Sequence, residues 1–201
     1  KFISIMCGIN GCLHNEKLRY DMNDFIIHTD YLSRRGPDES GYSEYKIKNN
    51  KLKFGHRRLS ILDLDIMANQ PMLSSSERYS IIFNGEIYNH KKLRSLMDIK
   101  KSMHWKTTSD TETLVNSFEF YEINKVLNLA EGMFAFVLFD KSKNILYLAR
   151  DKSGEKPLYI TCGKNFFAFS SDLISLKNIP SFKKSINQNA LEKYLQYNYI
   201  P

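Results

Sequence analysis

A cysteine directly after a methionine near the start of the chain, Met6-Cys7-Gly8-Ile9, offers the most chemistry in this sequence. If Met6 is the initiating residue, its removal leaves Cys7 with a free α-amine, whose ordinary pKa lies near neutrality. Such an amine accepts the thiol proton, so one residue serves as both nucleophile and general base. The competing reading is a small buried hydrophobe at a strand start, a common role for an unpaired cysteine. Other chemistries lack their spacing. No G-x-x-x-x-G-K-[ST] phosphate loop occurs, and Gly154-Glu155-Lys156-Pro157 does not supply one. No G-x-S-x-G elbow is present. His14, His28, His56, His90 and His104 have no metal-ligand spacing. Cys7 and Cys12 would project from opposite faces of a strand, so no shared metal is expected.

The elements that must position Cys7 read as a mixture of hairpins and helices. Ile5 to Leu13 is short, apolar and punctuated by glycine, a buried strand. Asp24 to Arg35 shows a helical face of Phe25, Ile26, Tyr31 and Leu32 and stops at Gly36-Pro37. Lys46, Lys48, Lys51 and Lys53 alternate with Ile47, Leu52 and Phe54 around Asn49-Asn50, which predicts a hairpin with one solvated lysine face. Tyr79 to Phe83 is a strand, and Asn84-Gly85 behind it reads, taken alone, as a hairpin turn. Asn89 caps a short helix through Met97. Ser109-Asp110-Thr111-Glu112 has capping-box spacing ahead of the periodic stretch Leu114 to Tyr121. By itself Asp110 merely favours a helix N-terminus there. Met133 to Phe139 with Ile145 to Ala149, then Leu158 to Cys162 with Phe166 to Ser170, form two consecutive hairpins. Their strands are apolar enough to be covered on both faces. Asn187 to Leu195 is a last helix. The class is α+β.

Composition bounds the function. With 201 residues, 42% hydrophobic and 25% charged, the chain suits one domain with a real core and excludes wholesale disorder. It carries 29 Lys+Arg against 22 Asp+Glu, a net charge of +7. The basic cluster that ends at Arg57 and Arg58 has no Arg-rich helix, RNA-binding aromatic signature or zinc finger beside it, so no nucleic-acid partner is expected. No apolar run approaches the ~18–20 residues that cross a bilayer, so no membrane is expected. Residues 1–6 are too short for a signal peptide. Three cysteines, an odd and low count, argue for a reducing compartment, hence the cytoplasm.

Seven segments occur in the order of one family: Cys7-Gly8-Ile9, Arg35-Gly36-Pro37-Asp38, His56-Arg57-Arg58-Leu59-Ser60-Ile61, Asn84-Gly85-Glu86-Ile87-Tyr88-Asn89, Ser109-Asp110-Thr111-Glu112, Gly132-Met133-Phe134-Ala135-Phe136 and Arg150-Asp151 with Lys156-Pro157-Leu158-Tyr159. Together they resemble the glutaminase domain of glutamine-hydrolysing asparagine synthetase, a class II amidotransferase. The resemblance implies an N-terminal-nucleophile hydrolase fold, a four-layer αββα sandwich of two antiparallel sheets. It implies that Cys7 thiolate attacks the glutamine carboxamide to give a thioester and ammonia. The Asn84 side chain and the Gly85 N–H would form the oxyanion hole. Arg58 would grip the α-carboxylate, and Asp110 would receive the α-ammonium with help from the backbone around Ile61 and Glu86. Leu59, Ser60 and Leu62 complete the implied substrate-binding stretch. Arg35 and Asp38 would fix the loop around the nucleophile. The Gly132 to Phe136 segment reads as a core strand.

The same resemblance implies a division of labour. Residues 1–6 are expected to be a leader before the nucleophile, 7–195 the amidotransferase domain and 196–201 the start of a linker. The expected partners are L-glutamine and a C-terminal synthetase domain that the chain lacks, and a homo-oligomer is compatible with this. No cofactor or metal is expected in this domain. ATP and Mg²⁺ would serve only the synthetase domain, whose S-G-G-x-D-S type motif is absent. The same glutaminase could serve another acceptor, such as a sugar carboxylate. A non-catalytic glutamine-binding domain is the further alternative, because six residues precede Cys7 and make its nitrogen an amide. Two departures from the family pattern, Ile160 after Tyr159 and Ser171-Asp172 in place of Ser-Glu, leave the pocket segments intact.

Overall fold

The computed structural model describes residues 6–60 and 65–200. Strand β1 (Gly8–Asn15) is central to a five-stranded antiparallel sheet with β2 (Glu39–Ile47), β3 (Asn50–Arg58), β8 (Tyr159–Gly163) and β9 (Phe166–Ser170), in the order β2-β3-β1-β9-β8. The second sheet orders β4 (Met72–Leu73), β5 (Tyr79–Ile87), β6 (Gly132–Asp140) and β7 (Ile145–Arg150) as β4-β5-β6-β7. The two predicted hairpins therefore exist, but they split between the sheets.

Three apolar clusters define four layers. Ile9, Leu52, Phe54 and Phe169 from the first sheet meet Ile82, Val137 and Phe139 from the second. The outer face of the four-stranded sheet buries Ile81, Phe83, Phe134, Phe136 and Leu138 against α2 (His90–Lys100), α3 (Asp110–Phe120) and α4 (Ile123–Leu129). The outer face of the five-stranded sheet packs Cys12, Phe166 and Ala168 under α1 (Met22–Asp30) and α5 (Leu173–Leu176). The expected αββα sandwich is the fold found. A further helix, α6 (Gln188–Tyr197), is capped by Asn187 and buries none of its residues.

Strand alternation turns this packing into a site. On β1 the odd residues face the other sheet, and continuing the alternation sends Cys7 the same way, while Cys12 joins the outer cluster. On β3 the inward set is Leu52, Phe54, His56 and Arg58, and on β5 it is Ser80, Ile82 and Asn84. The nucleophile candidate, an arginine and an asparagine thus share the gap between the two sheets at one end.

Several expectations need correction. The helix expected over Asp24–Arg35 begins earlier and ends at Asp30, followed by turns through Arg35. Asn84-Gly85 is not a hairpin turn; it lies inside β5, paired with Ala135 and Phe134. Gly85 (φ +155°) sits where an added Cβ would come within 2.2 Å of the Met133 carbonyl oxygen, so its glycine serves a close strand approach. The lysine face is not wholly solvated. Lys53 is fully buried, because the outer face of β3 lies under α1. Its ammonium donates to the Tyr20 carbonyl, lies 3.7 Å from Glu44 Oε2 and sits over the Tyr20 ring. Burial lowers its pKa, and Glu44 opposes the fall. Helices α4 and α5 and the two-residue β4 had no sequence expectation at all; their periodic stretches are shorter than two helical turns or a full strand.

Candidate functional site

A cavity of about 110 Å³ opens at the end of the sandwich where Cys7 lies. The five-stranded sheet brings Cys7, Arg58 and Leu59 to it, and the four-stranded sheet brings Asn84, Gly85, Glu86 and Met133. Ser109, Asp110 and Thr111 enter from the start of α3, and Ala68, Gln70 and Lys156 come from loops. Met6 also lines it.

The Cys7 thiol is half-buried and accepts a hydrogen bond from the Leu59 N–H at 3.3 Å. Burial raises its pKa; the Leu59 N–H and the nearby Arg58 and Arg35 guanidinium groups pull it back, and Asp110 pushes it up again. Arg35 Nε donates to the Cys7 carbonyl at 3.3 Å, and the Met6 N–H donates to the Arg35 carbonyl at 3.0 Å. Asp38 Oδ2 accepts from the Ser60 N–H at 2.7 Å, while its own N–H donates to the Arg58 carbonyl at 3.0 Å. Arg35 thus holds the Cys7 backbone and Asp38 holds the chain just past Arg58. Ser60 meets this scaffold through its N–H; Ile61 and Leu62 lie outside the described residues.

Arg58 is buried, with Nη1 donating to the Asp65 carbonyl at 3.0 Å and to Asn69 Oδ1 at 2.7 Å. These bonds fix the plane of the guanidinium, and a planar fork is the shape that matches a carboxylate. Asn84 is 1% exposed, and its Nδ2 has no hydrogen-bond partner among the described residues. An orphaned buried amide donor costs stability of about 1–3 kcal/mol unless something occupies it.

The edge of β5 explains a second donor. N–H groups two residues apart on a strand point the same way. The Phe83 N–H goes to Gln70 Oε1 at 2.5 Å and the Ile87 N–H to Asp110 Oδ2 at 2.9 Å. The Gly85 N–H between them faces the same open edge, away from β6. Asp110 is itself buried in the first turn of α3; burial raises its pKa, and the Ile87 and Thr111 N–H groups oppose this.

The α3 N-terminus is rigidly braced. Ser109 Oγ accepts from the Glu112 N–H at 3.2 Å, which is one half of the capping box. The other half is diverted: Glu112 accepts from the Lys106 and Thr107 N–H groups at 2.9 and 2.8 Å instead. Arg94 adds hydrogen bonds to the Thr107 and Ser109 carbonyls at 2.8 and 2.7 Å. On the opposite rim, Asp151 accepts from the Phe134, Glu155 and Lys156 N–H groups at 3.2, 2.9 and 3.1 Å. This clamp brings buried Lys156 to the cavity, with Nζ 2.9 Å from Met6 Sδ.

Gln70, Thr111, Met133 and Lys156 had no assigned role in the sequence reading. Lys156 and Met133 stood inside quoted segments, and Thr111 inside the capping box; Gln70 stood in none, and only the Gln70-Pro71 punctuation marks it. Among the described residues no group of three or more His, Cys, Asp or Glu side chains could hold a metal ion, and no helix is long and apolar enough to cross a membrane.

Residues 6–201 match the family model described as a glutamine amidotransferase domain. Among curated proteins, the chain is 36% identical over 205 residues to asparagine synthetase [glutamine-hydrolyzing] 1 of Bacillus subtilis (strain 168), covering 98% of this chain and 30% of that protein. It is 34% identical over 215 residues to the putative asparagine synthetase [glutamine-hydrolyzing] 2 of Methanocaldococcus jannaschii, covering 98% of this chain and 40% of that protein. The chain therefore spans roughly a third of the length of these relatives. Among solved structures, glutamine phosphoribosylpyrophosphate amidotransferase from B. subtilis shares the fold, with a TM-score of 0.64 at 17% identity over 86% of this chain and 43% of that one. With Cys7, Asn84 and a braced Arg58 meeting in one cavity, and a family match that covers residues 6–201, the chain belongs to the glutamine amidotransferase domain family.

Proposed function

We propose that this glutaminase domain releases ammonia from L-glutamine through a Cys7 thioester and delivers it to an ATP-dependent synthetase domain of the asparagine-synthetase type. The observation that carries the reading is the meeting in one cavity of the Cys7 thiol and the Asn84 amide, whose Nδ2 has no partner among the described residues, with Arg58 and Asp110 beside them.

With Met6 removed, the freed α-amine of Cys7 takes the thiol proton, and the thiolate attacks the side-chain carbonyl carbon of glutamine. Negative charge develops on the carbonyl oxygen, where Asn84 Nδ2 and the Gly85 N–H donate. The ammonium of Cys7 returns its proton to the departing nitrogen, which leaves as ammonia as the C–N bond breaks. The α-amine then takes a proton from water, whose oxygen attacks the thioester; glutamate departs and the thiol reforms. Arg58 holds the α-carboxylate and Asp110 the α-ammonium, and the backbone near Glu86 completes the amino-acid site. Burial raises the pKa of the Cys7 thiol, so the scheme calls on a general base, the α-amine, to take its proton.

The synthetase partner is inferred from the relatives, whose names join a synthetase to glutamine hydrolysis and of which this chain covers 30% and 40%. ATP and Mg²⁺ belong with that partner in this reading. The three free cysteines support a cytoplasmic setting. The test is a chain beginning at Cys7, assayed for glutamate and ammonia and weighed intact before and after treatment with a glutamine-mimicking diazoketone. Stoichiometric glutamate and ammonia with a single adduct on Cys7 are expected. A folded chain that binds glutamine but releases neither product would make this a binding module.

A further inference from the structure

Gln70 belongs to no segment used so far, yet its side chain bridges β5 and the start of α3, alongside the direct bond from the Ile87 N–H to Asp110 Oδ2. Strand β4 pairs Met72 with Ile81 and Leu73 with Ser80, so the continuing register would set Gln70 opposite Phe83. The chain leaves the ladder there. The Gln70 backbone carbonyl turns to β2, so close that a Cβ on Gly41 would lie 2.0 Å from it. Its carboxamide takes over the strand's work: Oε1 accepts from the Phe83 N–H at 2.5 Å and Nε2 donates to Thr111 Oγ1 at 3.3 Å. Phe83 precedes Asn84 on the strand that supplies the donors, and Thr111 follows Asp110 on α3. Gln70 is itself 6% exposed, so water does not compete freely for either bond.

We propose that Gln70 is a positioning residue that fixes the spacing between the carboxamide-reading edge (Asn84, Gly85) and the ammonium-reading carboxylate (Asp110), and thereby the length of amino acid accepted. The inference rests on the glutaminase reading. A substrate whose α-ammonium is held at Asp110 reaches Cys7 only if its side chain spans the gap that Gln70 sets. Asparagine, one methylene shorter, falls short of the nucleophile. Discrimination by one methylene in a rigid pocket is ordinarily about 10–200-fold, and a misplacement of about 1 Å costs on the order of 100-fold in rate.

The two arms of the carboxamide make the proposal separable. In a chain beginning at Cys7, kcat and KM are measured for glutamine and asparagine with Gln70→Met, Thr111→Val and Thr111→Ser. Gln70→Met keeps the length and removes both bonds. It should lower kcat/KM for glutamine by roughly 10–100-fold and shrink the preference for glutamine over asparagine. Thr111→Val removes only the α3 arm, so KM should rise several-fold with kcat within about twofold of the parent; Thr111→Ser should restore KM. If Gln70→Met fails to fold, the threonine pair decides, because a valine isostere that behaves as serine does would overturn the inference. A folded Gln70→Met chain with unchanged kcat, KM and glutamine preference would overturn it too. A parent chain that is folded yet releases no glutamate removes the glutaminase reading and this inference together, whereas an active parent isolates the fate of Gln70.

Discussion

Two cysteines lie five residues apart along β1 and its lead-in, and the sandwich gives them opposite fates. Cys12 faces the helical layer, fully buried among Leu18, Tyr20, Phe25 and Phe166, and burial pushes its thiol up to about 12 against the pull of Lys53. Cys7 faces the gap between the sheets, where burial also raises its pKa but an N–H and two guanidinium groups oppose it. Burial is common to both and makes a thiol inert. The difference is what else surrounds the sulfur: for Cys12 a packing core with a buried lysine, for Cys7 a cavity lined by Arg58, Asn84 and Asp110. Strand alternation alone sorted them.

The contrast breaks or sharpens at four points. Cys7→Ala in a chain beginning at Cys7 should abolish glutamate release, a loss of roughly 10⁴-fold or more. Cys12→Ala should leave kcat within about twofold and cost only about 1 kcal/mol in a urea titration; loss of activity with retained fold would erase the distinction. Next in size is the free amine. A chain that retains Met6 should turn over glutamine about 10²–10⁴-fold more slowly than one beginning at Cys7, the range general-base catalysis supplies.

Arg58→Lys tests the cationic surroundings of Cys7. A lysine cannot reproduce a fork braced by Asp65 and Asn69, so KM for glutamine should rise roughly 10–100-fold. Alkylation of Cys7 by iodoacetamide, followed by peptide mass, should require a higher pH than in the parent if the displaced cation stabilises thiolate less well. Cys162, which is exposed, supplies the internal standard.

His56 extends the comparison to an imidazole with much burial and little help. It is fully buried; burial lowers its pKa to about 3, and its hydrogen bond to Phe83 only partly compensates. The folded chain therefore holds it neutral while the unfolded chain titrates near 6.5. The resulting stability is complete above pH 6.5 and falls by about 1.4 kcal/mol per unit as pH drops toward 3. His56→Gln, which cannot titrate, should lose about 2 kcal/mol less than the parent between pH 7 and pH 5. Equal losses in urea titrations would show that His56 is not buried neutral.

How far these features were legible depends on whether their cause is local. The capping residue Ser109, the apolar run of β6 and the opposite facing of Cys7 and Cys12 follow from spacing along the chain. Gly85 looked like a turn glycine because its need for a missing Cβ comes from the Met133 carbonyl on another strand. Lys53 looked solvated because only tertiary packing lays α1 over its face. Gln70 carries no pattern, since its meaning lies in a register that begins two residues later and in a helix some forty residues away. Lys156 could be seen in the sequence, but not the Asp151 clamp that delivers it to the cavity.

The inter-sheet cluster of Ile9, Phe54, Phe169, Ile82, Val137 and Phe139 was described as a core, but it is also a caliper. Cys7 and Arg58 ride on one sheet; Asn84 and Gly85 ride on the other, so the thickness of that apolar filling sets the distance across which the proposed reaction takes place. Shaving a methylene from the filling should slow the proposed reaction without touching a polar atom. Turnover in this domain is accordingly a gauge of how well its two sheets are pressed together, and it should fade on warming before the fold itself is lost.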